Sequence, residues 1–146
     1  MPYLPLSFPA VTPTPDDAPF WAACAEERLA FQRCADCGRF RHPPTPLCAA
    51  CRSARSEWVE APPMGRLYSF TVVRHPAHPA ADGAVPYNVV LVEFPDCGGV
   101  RLVSNVVDAA PEDLAVGAAV ALVWDDGPGG RRLPRFRLAA PAGSGS

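Results

Sequence analysis

The stretch Cys34-Ala35-Asp36-Cys37-Gly38-Arg39-Phe40-Arg41-His42-Pro43-Pro44-Thr45-Pro46-Leu47-Cys48-Ala49-Ala50-Cys51 holds two Cys-x2-Cys knuckles with ten residues between them. Each knuckle supplies two sulfurs from one tight turn, so four thiolates can surround one tetrahedral ion at metal-to-sulfur distances of about 2.3 Å. Gly38, directly after Cys37, suits a backbone that must bend toward the metal. Zinc, one per chain, held by Cys34, Cys37, Cys48 and Cys51, is the expected occupant. Four-sulfur iron satisfies the same spacing, and a pair of disulfides or a redox dithiol is the remaining alternative. Four sulfurs leave no coordination position for water or substrate, which makes the site a folding device rather than a reaction centre.

Upstream, residues 1–15 contain five prolines and no amphipathic period, so residues 1–16 are expected to form an extended arm on the domain or on a partner. Asp17 with Pro19 in the following turn is a helix start, predicting a helix from Asp17 to Arg28. Its apolar residues Phe20, Trp21, Cys24 and Ala25 share one face. That face suits packing, and the Phe20-Trp21 pair is also a candidate partner anchor, because aromatic side chains dominate interface energetics. Leu29, Phe31 and Arg33 alternate with Ala30 and Gln32 into the first knuckle, giving a strand and a ribbon over residues 29–60. Helix and ribbon together span 17–62.

Beyond Gly65 the period becomes two. RLYSFTVVR (66–74), YNVVLVEF (87–94), VRLVSNVV (100–107) and AVALVW (119–124) are strands rich in β-branched and aromatic residues, and a fifth lies near 134–138. Pro95-Asp96-Cys97-Gly98-Gly99 carries the glycines of a hairpin connection, and Ala110-Pro111-Glu112-Asp113-Leu114 is placed for one helical turn. Five strands with a helical turn between the third and fourth is the layout of an OB-fold barrel, here over 63–139. Residues 140–146 read as a flexible tail. The fold class is mainly β: an N-terminal helix, a zinc ribbon, then a five-stranded OB-fold barrel.

Composition prunes the chemistry. Hydrophobic residues make up 49% and charged residues 19%, a balance that permits a packed core. All 13 basic residues are arginine, which excludes lysine Schiff-base catalysis and a P-loop lysine. A net charge of −2 gives no bulk attraction to nucleic acid or to an anionic membrane. No run approaches the roughly 20 apolar residues of a bilayer span, and the N-terminal stretch lacks a signal-peptide pattern, so a cytoplasmic location is expected. A reducing compartment also favours metal over disulfides for paired cysteines.

The remaining reactive side chains are sparse. Cys24 falls on the helix's apolar face and reads as a small buried hydrophobe. Cys97 sits in a turn and reads as exposed, and a nucleophilic role for it would require a neighbouring base. His75 and His78 flank a proline-bounded loop, where solvated side chains are the ordinary reading. Arginines 28, 33, 39, 41, 52, 55 and 66 concentrate around the ribbon, a face that could receive phosphate.

The order of parts carries a resemblance: Phe20-Trp21 on a short helix, LAFQRCADCG (29–38), Pro43-Pro44 before LCAAC (47–51), Trp58 after the ribbon, GRLYSFTVV (65–73), and LAVGAAVAL (114–122). Over residues 17–138 the chain resembles an acyl-CoA-associated family that joins a rubredoxin-like zinc ribbon to an OB-fold. The resemblance implies a non-catalytic accessory subunit, hetero-oligomeric with a thiolase-like acyltransferase or aldolase acting on acyl-CoA substrates, with steroid or lipid side-chain degradation as one setting. It also implies that Cys34, Cys37, Cys48 and Cys51 are zinc ligands and that no catalytic residue carries over. Many relatives have an arginine after the double proline, where this chain has Thr45. Any contact with CoA phosphate would then fall to Arg39 or Arg41. The alternative function is a nucleic-acid-binding module, with Tyr68 and Phe70 sharing a strand face on which bases could stack.

Overall fold

The change of period near Gly65 is also the boundary between two sheets. In the computed structural model, which describes residues 2–139, helix α1 (Ala18–Ala25) leads into an antiparallel ribbon of β1 (Ala30–Cys34), β2 (Phe40–Arg41) and β3 (Ser56–Glu60), ordered β2-β1-β3. The second sheet contains β4 (Met64–Val73), β5 (Tyr87–Phe94), β6 (Val100–Ser104), β7 (Val106–Val107), β8 (Ala119–Asp126) and β9 (Arg132–Leu138), ordered β6-β5-β4-β8-β9-β7. The predicted tail at 140–146 lies outside the described residues.

β6 and β7 are the two halves of the single strand predicted at 100–107. The chain breaks at Asn105 because it changes partner there: β6 runs antiparallel to β5, and β7 runs parallel to β9. That change closes the sheet into the OB-fold barrel. Side chains do the joining. The Asn88 amide donates to the Val106 carbonyl at 2.8 Å and its Oδ1 accepts from the Val106 N–H at 2.7 Å, while the Asn105 amide donates to the Asn88 carbonyl. The Asn105 carbonyl accepts from the Phe136 N–H at 3.0 Å. These buried asparagines supply the ladder bonds that the break in the strand would otherwise forfeit.

Alternation puts Asn88, Val90, Val92 and Phe94 of β5 inside the barrel, joined by Leu67, Val120 and Phe136. The ribbon adds Leu29 and Phe31 and the helix adds Phe20 and Cys24 to the same core. The Phe31 ring stands 5.1 Å from that of Phe94, which is 6.0 Å from Phe136. Ribbon and barrel therefore share one hydrophobic centre.

Several local expectations need correction. The helix stops at Ala25 instead of Arg28 because Glu27 takes a left-handed conformation, φ 57°, which turns Leu29 into the ribbon. Asp17 occupies the N-cap position without capping the helix; its carboxylate instead accepts from the Thr14 N–H at 2.6 Å and the Thr14 hydroxyl at 3.1 Å. The fifth strand begins at Arg132 and is a full partner of β8. Cys97, expected to be exposed, is 2% exposed. Its turn lies under the ribbon, where a Cβ on Gly98 would stand 3.1 Å from the Phe40 Cβ.

The arm ahead of the helix is fastened to the barrel. The Tyr3 N–H donates to Asp125 at 2.9 Å, and its hydroxyl accepts from the Asn88 main-chain N–H at 2.9 Å and side-chain amide at 2.8 Å. Arg135 donates to Asp125 at 3.2 Å and to Asn105, so the arm completes a ring of hydrogen bonds around the barrel's closure.

Candidate metal centre

The two knuckles face each other across the open end of the ribbon. Cys34 ends β1 and Cys37 follows in a turn closed by the Gly38 N–H donating to the Cys34 carbonyl at 3.0 Å, with Gly38 at φ 79°. Cys48 and Cys51 repeat the arrangement: the Arg52 N–H donates to the Cys48 carbonyl at 2.8 Å, and Arg52 takes φ 64°. Arg52 thus occupies the place that Gly38 fills in the first knuckle, in a conformation costing a non-glycine residue about 1 kcal/mol.

Sulfurs at the corners of a tetrahedron with 2.3 Å arms stand about 3.8 Å apart. Cys34 Sγ and Cys51 Sγ are 3.5 Å apart, Cys37 Sγ and Cys48 Sγ 3.6 Å, and all four sulfurs lie within 4.8 Å of one another. The donor set fits a tetrahedral four-sulfur ion. Main-chain N–H groups are aimed at the ligands: that of Cys37 at Cys34 Sγ and that of Ala50 at Cys48 Sγ, both at 3.4 Å. The Cys37 N–H and its neighbours pull the Cys34 thiol down to about 6. For Cys51, the Ser53 N–H acts downward, but the nearby sulfurs and burial together push the thiol up to about 12. Without a cation between them, four sulfurs this close resist simultaneous ionisation, and a bound dication removes that conflict.

Gln32, which the sequence reading did not single out, braces the long connection between the knuckles. Its amide donates to the Thr45 carbonyl at 3.0 Å, and its Oε1 accepts from the Thr45 N–H at 2.9 Å. Only its inward place in β1 could have marked it. Arg41 donates twice to the same Thr45 carbonyl, at 3.3 and 3.0 Å, and so serves the loop. Arg39 is exposed, and among the described residues no ion pair engages it. The basic face is largely self-neutralised: Arg28 pairs with Glu26, Arg33 with Glu57, Arg55 with Asp36 and Arg66 with Glu93.

The other sequence candidates are kept apart. Burial alone lifts the Cys24 thiol to about 12, and burial with the Asp96 charge raises that of Cys97, so neither is an activated nucleophile. The His78 Nδ1 accepts from the Ala80 N–H at 3.0 Å and caps a short turn. Phe20 is 3% exposed in the core, while Trp21 is half-buried, their rings 5.0 Å apart edge to face. Both line a hollow of about 420 Å³ between α1, His42-Pro43-Pro44 and the seam of β6 with β9. Tyr68 and Phe70 do not form one stacking face, because a bulge between Leu67 and Ser69 shifts the alternation. Phe70 packs against the core, and Tyr68 lies outside beneath Arg101.

Known proteins extend the picture. Residues 21–57 match the family described as the ChsH2 rubredoxin-like zinc ribbon domain, and residues 58–125 match the ChsH2 C-terminal OB-fold domain. A probable enoyl-CoA hydratase alpha subunit of Thermomonospora curvata is 43% identical over 86% of this chain, and the chain spans 38% of that protein's length. A DUF35 domain-containing scaffold protein of Methanothermobacter thermautotrophicus is 31% identical over 66% of this chain and 71% of its own. Among solved structures, a chain of an Ltp2-ChsH2(DUF35) aldolase superposes with a TM-score of 0.80 at 42% identity, covering 90% of this chain and 99% of that one.

Proposed function

The chain belongs to the ChsH2 family of zinc-ribbon and OB-fold proteins, and from that premise we propose that it is a non-catalytic accessory subunit of a thiolase-like acyltransferase or aldolase acting on acyl-CoA substrates. The observation that carries this reading is the metal centre. Its four sulfurs complete a coordination shell by themselves, and the two other cysteines are buried with raised thiols. A domain so built offers rigidity and surface, not a reacting group.

Zinc is the ion we assign to Cys34, Cys37, Cys48 and Cys51, with a purely structural part. The similarity to a chain of an Ltp2-ChsH2 aldolase supports a hetero-oligomer with a thiolase-like protein, which we place in the cytoplasm. Lipid or steroid side chains are the material we assign to the complex, on the family resemblance alone. Phe20 and Trp21 belong to this reading as the wall of the hollow beside α1, where a partner group can lodge. Arg39 is the guanidinium we assign to any contact with CoA phosphate, since Arg41 already serves the Thr45 loop.

Co-expression with a thiolase-like protein from the same genome tests the proposal. A complex of fixed stoichiometry that survives size exclusion, with one zinc per copy of this chain, is the expected result. Failure of the two proteins to associate would overturn it.

A further inference from the structure

The outer surface of β6 breaks the rule that a barrel's solvent side is polar. Val103 is 64% exposed in mid-strand. It forms the ridge between two hollows: the one of about 420 Å³ at the seam, walled by Trp21, Leu133 and Pro134, and one of about 270 Å³ on the sheet face, walled by Val89 and Leu91. Scattered apolar side chains are ordinary on a protein surface, but a contiguous apolar relief with paired concavities marks a place where another molecule sits.

The backbone agrees. Among the described residues β6 pairs with β5 alone, so its second edge has no main-chain partner over 101–103. An uncovered edge beside apolar surface is an aggregation hazard unless something covers it. Charge narrows the occupant. Arg66 and Arg101 share one carboxylate, Glu93, at 2.6 and 3.9 Å, which leaves that border of the patch one positive charge in excess, while Asp17 is a carboxylate in the wall of the seam hollow. Arg101 lies flat on the Tyr68 ring at 3.7 Å, which holds its guanidinium at the border of the patch.

We infer that the surface of β6 centred on Val103 is the docking face for the catalytic partner, and that the partner presents there an apolar cluster bordered by carboxylates. The inference rests on the accessory-subunit reading and deepens it by naming the face and the chemistry of what meets it. The hollows receive the partner's apolar side chains, and Arg66 and Arg101 meet its acids.

The test uses the full chain with the thiolase-like protein of the same genome that co-purifies with it, and compares Val103→Arg with Val116→Arg, a similarly exposed valine (69%) outside the patch. Val103→Arg is expected to weaken the complex about thirty-fold or more, with Val116→Arg near wild type. Arg101→Glu should weaken it about ten-fold and flatten its salt dependence. Circular dichroism and metal content identify any variant that fails to fold, in which case Arg101→Glu decides. Wild-type affinity in a folded Val103→Arg protein, or in Arg101→Glu if Val103→Arg does not fold, would overturn the assignment. So would self-association of the free chain abolished by Val103→Arg, which would make the face an interface between copies. No complex with the wild-type chain would overturn the accessory role itself.

Discussion

The ring of Phe31, from the ribbon strand that ends in Cys34, packs at 5.1 Å and 54° against the ring of Phe94, from the barrel interior. Both are fully buried. Through this contact the metal centre and the barrel are mechanically one object. Phe94→Ala should destabilise the chain by about 3–5 kcal/mol, the range for removing a buried phenylalanine. It should also loosen the ribbon, read as faster loss of metal to a chelator. Destabilisation without faster metal release would show that the ribbon holds its ion independently of the barrel.

Tyr3 and Asn88 make a second prediction, at the other end of the chain's fold. Tyr3→Phe removes the acceptor for two Asn88 donors and should cost about 1–3 kcal/mol by chemical denaturation. Asn88→Ala should cost more, because it also strands the Val106 N–H and carbonyl at the barrel's closure. Equal costs would mean that the closure does not depend on the amide.

His42 supplies a pH dependence. Its imidazole lies between the rings of Phe20 at 5.3 Å and Phe31 at 5.2 Å, and burial holds its pKa down to about 4 from an ordinary 6.5. The folded chain therefore binds fewer protons than the unfolded chain between these values, so the stability present above pH 6.5 is lost as pH falls toward 4, by about 3 kcal/mol in all. Thiolate protonation also weakens metal binding in acid, so the informative quantity is the difference between wild type and His42→Phe. Denaturation measured from pH 7.5 to 4.5 should show the shallower decline in the variant, and parallel curves would refute this account of His42.

The metal knuckles predict an asymmetry. Gly38→Ala meets no atom within 4 Å but must adopt φ 79°, a cost of about 1–2 kcal/mol, whereas Arg52→Gly relieves the same strain in the second knuckle. Thermal melts of the metal-bound protein should therefore fall for Gly38→Ala and hold or rise for Arg52→Gly. Cys48→Ser should lower metal content well below one ion per chain and expose the ribbon to proteolysis.

Much of this was legible in the chain itself. The two Cys-x2-Cys knuckles marked the four sulfurs that the fold brings together, because such a site demands particular atoms at short range, and the strand at Tyr87–Phe94 shows itself through its β-branched and aromatic residues. What could not be read was set by contacts distant in sequence. Cys97 is buried because Phe40 and the ribbon cover its turn, and the strand at 100–107 breaks because β9 waits to pair with its second half. Val103 gave no signal, since an apolar residue in a strand looks the same whichever way it faces.

The central claim is that the chain supports catalysis without performing it. The most direct measurement is turnover of an acyl-CoA substrate by the thiolase-like partner alone, by this chain alone and by the two together. The account predicts none from this chain, and at least a ten-fold gain for the complex over the partner alone. Full activity in the isolated partner, or turnover by this chain that is lost on changing one of its own residues, would contradict it.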